Sequence, residues 1–190
     1  NALIADSSAL PEQLVKDAIN SAFGSAGQRC SAARVLFVQE DIADKVIGML
    51  AGALDEIVVG DPGLLSTDIG PVIDERAKGM LDEHAERMSK EAKLIKQIKL
   101  DADATAHGTF FAPRAYEIAS LDVLKREVFG PVLHVLRFAG KDIDKVISDI
   151  NATGYGLTLG VHSRIDSTVE KISRTVKAGN CYVNRNMIGA

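Results

Sequence analysis

The sequence predicts an α/β fold, a three-layer sandwich with a mostly parallel sheet, in one unit covering residues 1–190. Three observations carry that prediction. Apolar runs of strand length alternate with segments in which apolar residues recur every three or four positions. The order strand–helix–strand repeats, and parallel neighbours require crossover connections. Finally, 46% hydrophobic residues over 190 positions supply ample apolar surface for a packed core, which excludes disorder as a description of the whole.

Asn1 to Ala5 reads as a short buried strand. Ser7 and Ser8 offer hydroxyls to cap the next helix. Its apolar face holds Leu10, Leu14, Val15, Ala18, Ile19, Ala22 and Phe23, and it ends at Gly24. A loop of small residues follows, from Gly24 to Ala32. Arg34 to Gln39 reads as a strand, and Asp41 as the cap of a second helix. That helix would bury Ile42, Val46, Met49, Leu50, Ala53, Leu54 and Ile57. Gly60 to Asp74 is a connection punctuated by Gly and Pro. A third helix runs from about Asp74 to Ala92, with a charged outer face that includes His84. Leu94 to Leu100 reads as a strand and Asp101 to Gly108 as a polar loop. Phe110 to Ile118 reads as a strand interrupted by Pro113, and Pro131 to Phe138 as a strongly apolar strand. A helix over Asp142–Ile150, a strand over Leu157–His162, a helix over Ser167–Lys177 and a strand over Asn180–Asn184 complete the chain.

Composition narrows the function classes. A net charge of −4 and a pI near 5.6 argue against a nucleic-acid-binding module, which needs a basic stripe. Two cysteines, Cys30 and Cys181, make neither a disulfide framework nor a zinc knuckle, and they fit a reducing compartment. The histidines His84, His107, His134 and His162 form no metal-ligand pattern, so no metal is expected. No apolar run approaches the ~20 residues of a membrane helix. The chain opens on Asn-Ala-Leu-Ile-Ala-Asp and stops at Asn-Met-Ile-Gly-Ala, apolar at both ends, and reads as an excised piece.

Cys30 is the first candidate for chemistry. Its neighbours are Gly, Ser, Ala and Gln, which leave room for a substrate and let backbone N–H groups point at one spot. The residues alone leave two readings open, a nucleophile or an inert small side chain. Cys181, inside an apolar strand, reads as a buried hydrophobe. His134 and His162 read as hydrogen-bonded strand residues. Gly154-Tyr155-Gly156 offers a GxG, but between a helix and a strand, the wrong order for a dinucleotide fingerprint. Glu127 opens the run Glu-Val-Phe-Gly-Pro-Val, where Gly130-Pro131 turns into the next strand. Ligands often bind at such loops of α/β sheets.

Phe23-Gly24-Ser25-Ala26-Gly27-Gln28-Arg29-Cys30-Ser31-Ala32 resembles the cysteine motif of the aldehyde dehydrogenase superfamily. Glu127-Val128-Phe129-Gly130-Pro131-Val132 resembles its second motif, about a hundred residues on. Gly60-Asp61-Pro62, Gly70-Pro71-Val72-Ile73 and Gly154-Tyr155-Gly156-Leu157 also fit. Within the superfamily, Asn1 to Leu10, Gly27 to Ala32, Leu36 to Asp41 and Tyr182 to Ala190 are similar to the bacterial proline utilization A family. Its members join a proline dehydrogenase to an L-glutamate γ-semialdehyde (1-pyrroline-5-carboxylate) dehydrogenase.

The resemblance implies roles. Cys30 would be the nucleophile, with its own N–H helping to hold the oxyanion. Glu127 would bind the nicotinamide ribose of NAD, with Phe129 beside that ring. Ser31, with the amides of Gly189 and Ala190, would anchor the substrate's α-carboxylate. FAD would belong only to the separate proline dehydrogenase half. The family's cofactor-binding domain, its general-base glutamate and its oligomerisation arm would lie outside residues 1–190, so the chain alone would not turn over aldehyde. The resemblance further implies a small aldehyde substrate, a homo-oligomeric parent and a cytoplasmic location, with the parent possibly peripheral at the inner membrane. One departure is Gly24, where related chains often carry Asn. Alternatives at this stage are another aldehyde substrate class, a cofactor-independent cysteine esterase or hydrolase, or a non-catalytic assembly module.

Overall fold

The computed structural model of the chain describes residues 1–189. Seven strands form one sheet: β1 (Ala2–Ala5), β2 (Val35–Gln39), β3 (Lys93–Gln97), β4 (Arg114–Glu117), β5 (Val132–Phe138), β6 (Thr158–His162) and β7 (Asn180–Val183). Their order is β3-β4-β5-β2-β1-β6-β7. Every pairing is parallel except β3 with β4, so the predicted three-layer, mostly parallel architecture holds.

Alternation along the strands separates two cores. Leu3, Ala5, Leu36 and Val38 face α1 (Pro11–Phe23), α2 (Glu40–Asp55) and α3 (Glu75–Glu91). Ala2, Ile4, Val35, Phe37, Leu159 and Val161 face α4 (Ile143–Ala152) and α5 (Asp166–Thr175). The sheet's central strands are apolar on both faces because helices cover both. The expected face of α2 splits by depth: Val46, Leu50 and Leu54 are fully buried, while Ile42, Met49, Ala53 and Ile57 pack at its margin.

Several boundaries depart from the sequence reading, each for a local reason. Ser8 does not cap α1. Its N–H and its hydroxyl both donate to Asp6 Oδ1, at 2.8 and 2.6 Å, and this tight turn diverts it. Pro11 starts the helix instead, with a fixed φ and no N–H to leave unpaired. β2 runs straight into α2, so Asp41 lies in the first helical turn and accepts from the Gln39 side chain at 2.6 Å. Asp74 does cap α3, accepting from Ala77 N–H at 2.7 Å. Only the part after Pro113 joins the sheet as β4, because a proline cannot donate to the ladder. Cys181 is exposed rather than buried, since β7 is an edge strand without cover on one side.

Candidate active site

Four loops meet at the amino ends of β1, β2, β5 and β6. The loops carry Asn1, the Cys30 segment, the Glu127 turn and Thr158.

The Cys30 loop begins where α1 ends. Ser25, Ala26 and Gly27 all have left-handed backbone, with φ of 55°, 54° and 65°. Three such residues in a row reverse the chain within one turn. Gly27 is required there twice over. Its φ favours glycine, and a Cβ would fall onto the carbonyl of Gly130 and lie 2.8 Å from Ala22 O. The two motifs, a hundred residues apart in sequence, are therefore in backbone contact.

Cys30 is exposed. The carbonyls of Gly27, Arg29, Cys30 and Ser31 are each held by donors from the protein. Gly27 O accepts from Arg34 Nη1 at 2.6 Å, and Arg29 O from Arg34 Nη2 at 3.0 Å and Ala32 N–H at 3.1 Å. Cys30 O accepts from Asn1 Nδ2 at 2.6 Å, and Ser31 O from Thr158 Oγ1 at 3.0 Å. No cis peptide occurs among the described residues. In a trans peptide the N–H points opposite to its C=O. The Cys30 and Ser31 N–H groups therefore face away from the donors that hold Arg29 O and Cys30 O. This is the arrangement that frees amides for a developing oxyanion.

Arg34 was not singled out from the sequence, and it ties the site together. Its Nε donates to Glu127 Oε1 at 3.1 Å, and its guanidinium lies 4.9 Å from the Phe129 ring centroid. It is 5% exposed, and burial lowers its pKa while Glu127 opposes that shift. The signal available in sequence was an arginine entering a fully apolar strand, a position that needs paying partners. Asn1 was also missed: its Oδ1 accepts from Thr158 N–H at 3.1 Å, so it joins the Cys30 loop to β6. Arg29 Nε donates to Ser25 Oγ at 2.9 Å, back within the same loop.

The other expected residues are placed as follows. Glu127 is about one-third exposed, and Phe129 is exposed. Ser31 is buried, and Gly189 is exposed close to Tyr182 and Arg185. Ala190 lies outside the described residues. A cavity of about 780 Å³ opens beside Glu127, with Asn1, Arg34, His134 and Lys145 on its wall. Cys30 does not line it; Arg34 and Asn1, which both hold carbonyls of the Cys30 loop, do. Among the described residues no cluster of His, Cys, Asp or Glu could hold a metal ion, and no helix is long and apolar enough to cross a membrane.

His84 is buried, against the expectation of a charged helix face. Its Nε2 meets His134 Nε2 at 2.9 Å. The neighbours fix the tautomers. His134 Nδ1 must donate to Arg34 O at 3.0 Å, so its Nε2 accepts from His84, whose Nδ1 accepts from Arg87 at 3.3 Å. Burial, helped by Arg87, pulls His84 down to about 4. Burial pulls His134 down to about 3, opposed by its bond to the Arg34 carbonyl. Both rings are thus neutral in the folded state, whereas in the unfolded chain they protonate near 6.5. Stability is complete above that value and is lost as pH falls from 6.5 towards 4. The expected slope is about 1.4 kcal/mol per pH unit for each proton the unfolded chain takes up. A denaturant midpoint that falls between pH 7 and 5 is the expected result; one that holds or rises contradicts the neutral pair.

An exposed cysteine in a loop of small residues and a carboxylate-bearing turn are thus joined by a buried arginine at one end of a parallel sheet. The profile of the aldehyde dehydrogenase family matches residues 1–190, and the chain belongs to that family. It is 53% identical over its whole length to the bifunctional protein PutA of Klebsiella aerogenes. It is 34% identical over 99% of its length to a 1-pyrroline-5-carboxylate dehydrogenase of a Geobacillus species. A crystal structure of bifunctional proline utilization A superposes with a TM-score of 0.95 at 53% identity, over all of this chain and 19% of that one. Betaine aldehyde dehydrogenase of Staphylococcus aureus, with a BME-modified cysteine, superposes at 0.91 and 27% identity, over 98% of this chain and 38% of that one. The chain spans 15% of the Klebsiella relative and 36% of the Geobacillus one.

Proposed function

We propose that this chain is the thiol-bearing catalytic part of an NAD-dependent L-glutamate γ-semialdehyde dehydrogenase. The observation that carries the reading is the Cys30 loop: an exposed thiol whose flanking carbonyls are all tied inward, in backbone contact with the Glu127 turn. The substrate class is supported by the named relatives, a bifunctional PutA and a 1-pyrroline-5-carboxylate dehydrogenase.

Cys30 sulfur, as thiolate, adds to the aldehyde carbon, and the carbonyl oxygen becomes an oxyanion held by the Cys30 N–H. NAD, when bound, would supply the hydride acceptor for that carbon, and Cys30 would be left carrying the acyl group as a thioester. Water then attacks the thioester carbon, releasing the carboxylate product and the thiol. The resemblance puts the base for this last step in a Glu-x-Gly-Gly segment outside residues 1–190. The site's residues fit a nicotinamide riboside. Glu127 Oε1 is occupied by Arg34, which leaves Oε2 for a ribose hydroxyl, and Phe129 offers an exposed flat face. Ser31 and Gly189 with Ala190 would hold the α-carboxylate. FAD would act only in a separate proline dehydrogenase half. The parent would be a homo-oligomer acting on a small aldehyde in the bacterial cytoplasm.

None of the four histidines contacts Cys30 among the described residues, and His84 and His134 are engaged with each other. A cysteine hydrolase that depends on a histidine base therefore has less support than the dehydrogenase. The test is made on the full-length protein. With L-glutamate γ-semialdehyde and NAD it should form NADH and glutamate in equal amounts, and the aldehyde should protect Cys30 from iodoacetamide. The 190-residue chain alone should form no NADH. Aldehyde turnover without cofactor, or no protection of Cys30, overturns the proposal.

A further inference from the structure

α1 carries a polar row on an otherwise apolar face: Gln13, Asp17 and Ser21, spaced four apart and so stacked along one side. Gln13 and Ser21 face the chain that leaves the sheet, and Asp17 between them faces the end of β6. Gln13 Nε2 donates to Asn184 O at 2.6 Å. Asp17 Oδ2 lies 3.6 Å from His162 Nε2 on β6, and neither atom has a hydrogen-bond partner. Ser21 Oγ accepts from Met187 N–H at 3.0 Å. Near the helix end, a Cβ on Gly24 would sit 3.3 Å from Ile188 Cδ1, so the missing side chain makes room for Ile188.

The order of these contacts gives a direction. Residues 184, 187 and 188 meet residues 13, 21 and 24 in turn. Eleven helical residues rise about 16 Å. Four extended residues span at most about 14 Å. The segment therefore runs nearly straight along α1 towards its carboxyl end, where the Cys30 loop begins. Asn184, with φ of 51°, turns the chain out of β7 onto this path, and its side chain is fixed by Ser163 N–H at 3.0 Å and Ser163 O at 2.9 Å.

Ser21 is the one residue that holds both ends of the arrangement. Its backbone carbonyl accepts from Ala33 N–H at 2.9 Å, three residues after Cys30. Its hydroxyl donates to Asp17 O at 2.6 Å, which leaves the oxygen lone pair that Met187 uses. Ser21 and Met187 are both completely buried, and the Met187 sulfur packs over Gly160. Two residues beyond Met187 comes Gly189.

We infer that Ser21 is a positioning residue for substrate selection: through the Met187 amide it fixes the distance between Gly189 and Cys30, and so favours aldehydes that carry an α-carboxylate. The inference rests on the reading of Gly189 as part of the carboxylate anchor. Ser21→Ala keeps the carbonyl bond to Ala33 and removes the hydroxyl, which accepts from Met187 N–H and donates to Asp17 O within the same helix.

The experiment compares two aldehydes on the full-length protein, L-glutamate γ-semialdehyde and butyraldehyde, which lacks the amino and carboxylate groups. In Ser21→Ala, kcat/KM for the semialdehyde should fall about tenfold, mostly through KM, the order of one buried hydrogen bond. Butyraldehyde should change less than about twofold on the same scale. Gly24→Ala, whose φ of −52° and ψ of 133° suit alanine, crowds Ile188 and should give the same one-sided loss. It decides the matter if Ser21→Ala does not fold. Equal losses on the two aldehydes, or no loss on either, overturn the role of Ser21. If the unaltered protein does not prefer the semialdehyde, the anchor itself falls, and the inference with it.

Discussion

In the full-length protein, Cys30→Ala is expected to lower aldehyde-dependent NADH formation by at least about 10³-fold, the scale seen when a covalent nucleophile is removed. The reason is chemical. Without sulfur no covalent adduct forms, so the carbonyl carbon never becomes tetrahedral with its oxygen beside the Cys30 N–H. The alanine variant keeps the loop, because the loop is held by its carbonyls and not by the thiol: Asn1 holds Cys30 O, Arg34 holds Arg29 O and Thr158 holds Ser31 O. NAD affinity should therefore be unchanged, which separates lost chemistry from a lost fold. Cys181→Ala is the matched control and should retain full activity. Cys181 lies on the β7 edge, and burial around its sulfur raises the thiol pKa, leaving less thiolate at neutral pH. A Cys30→Ala protein that still makes NADH at a comparable rate removes the nucleophile from the mechanism.

The fold was legible because strand and helix leave different periods in the sequence, and the layers follow from the order of those periods. Val132 to Phe138 could hardly be anything but a central strand, and the apolar row of α2 could only be a helix. Helix starts were less legible. Serine and aspartate hydroxyls and carboxylates have several backbone groups within reach, and in the Asp6–Ser8 turn the nearer group won. Cys30 and Glu127 were legible as candidates from their unusual company, and the family motif joined them. Arg34, Asn1 and the His84–His134 pair were not. Each acts through a partner distant in sequence: Arg34 with Glu127, Asn1 with Thr158, and His84 with a ring on another element. A single chain carries no trace of such pairings except a polar residue in apolar surroundings. That trace was present for Arg34 and His134, both set among buried strand residues.

Gly27→Ala should show how far the site depends on the meeting of its two loops. The new methyl group would meet the Gly130 carbonyl, in a turn packed against the Leu81 side chain of α3. The alanine would also have to keep a φ of 65°, at a cost of about 1–2 kcal/mol. Relieving the overlap adds roughly 1–3 kcal/mol. The loops are then expected to separate, and Arg34 cannot follow both, since it holds Gly27 O on one side and Glu127 on the other. Activity should fall more steeply than stability. In the proposed mechanism the Cys30 amide and the Glu127 carboxylate face one bound substrate–cofactor pair, and a displacement of about 1 Å can cost on the order of 100-fold in rate. The measurements are kcat for NADH formation and the apparent Tm of full-length Gly27→Ala beside the unaltered protein. A drop of several degrees together with a large loss of kcat is expected. Unchanged kcat would mean that the two loops need not touch for the reaction to proceed.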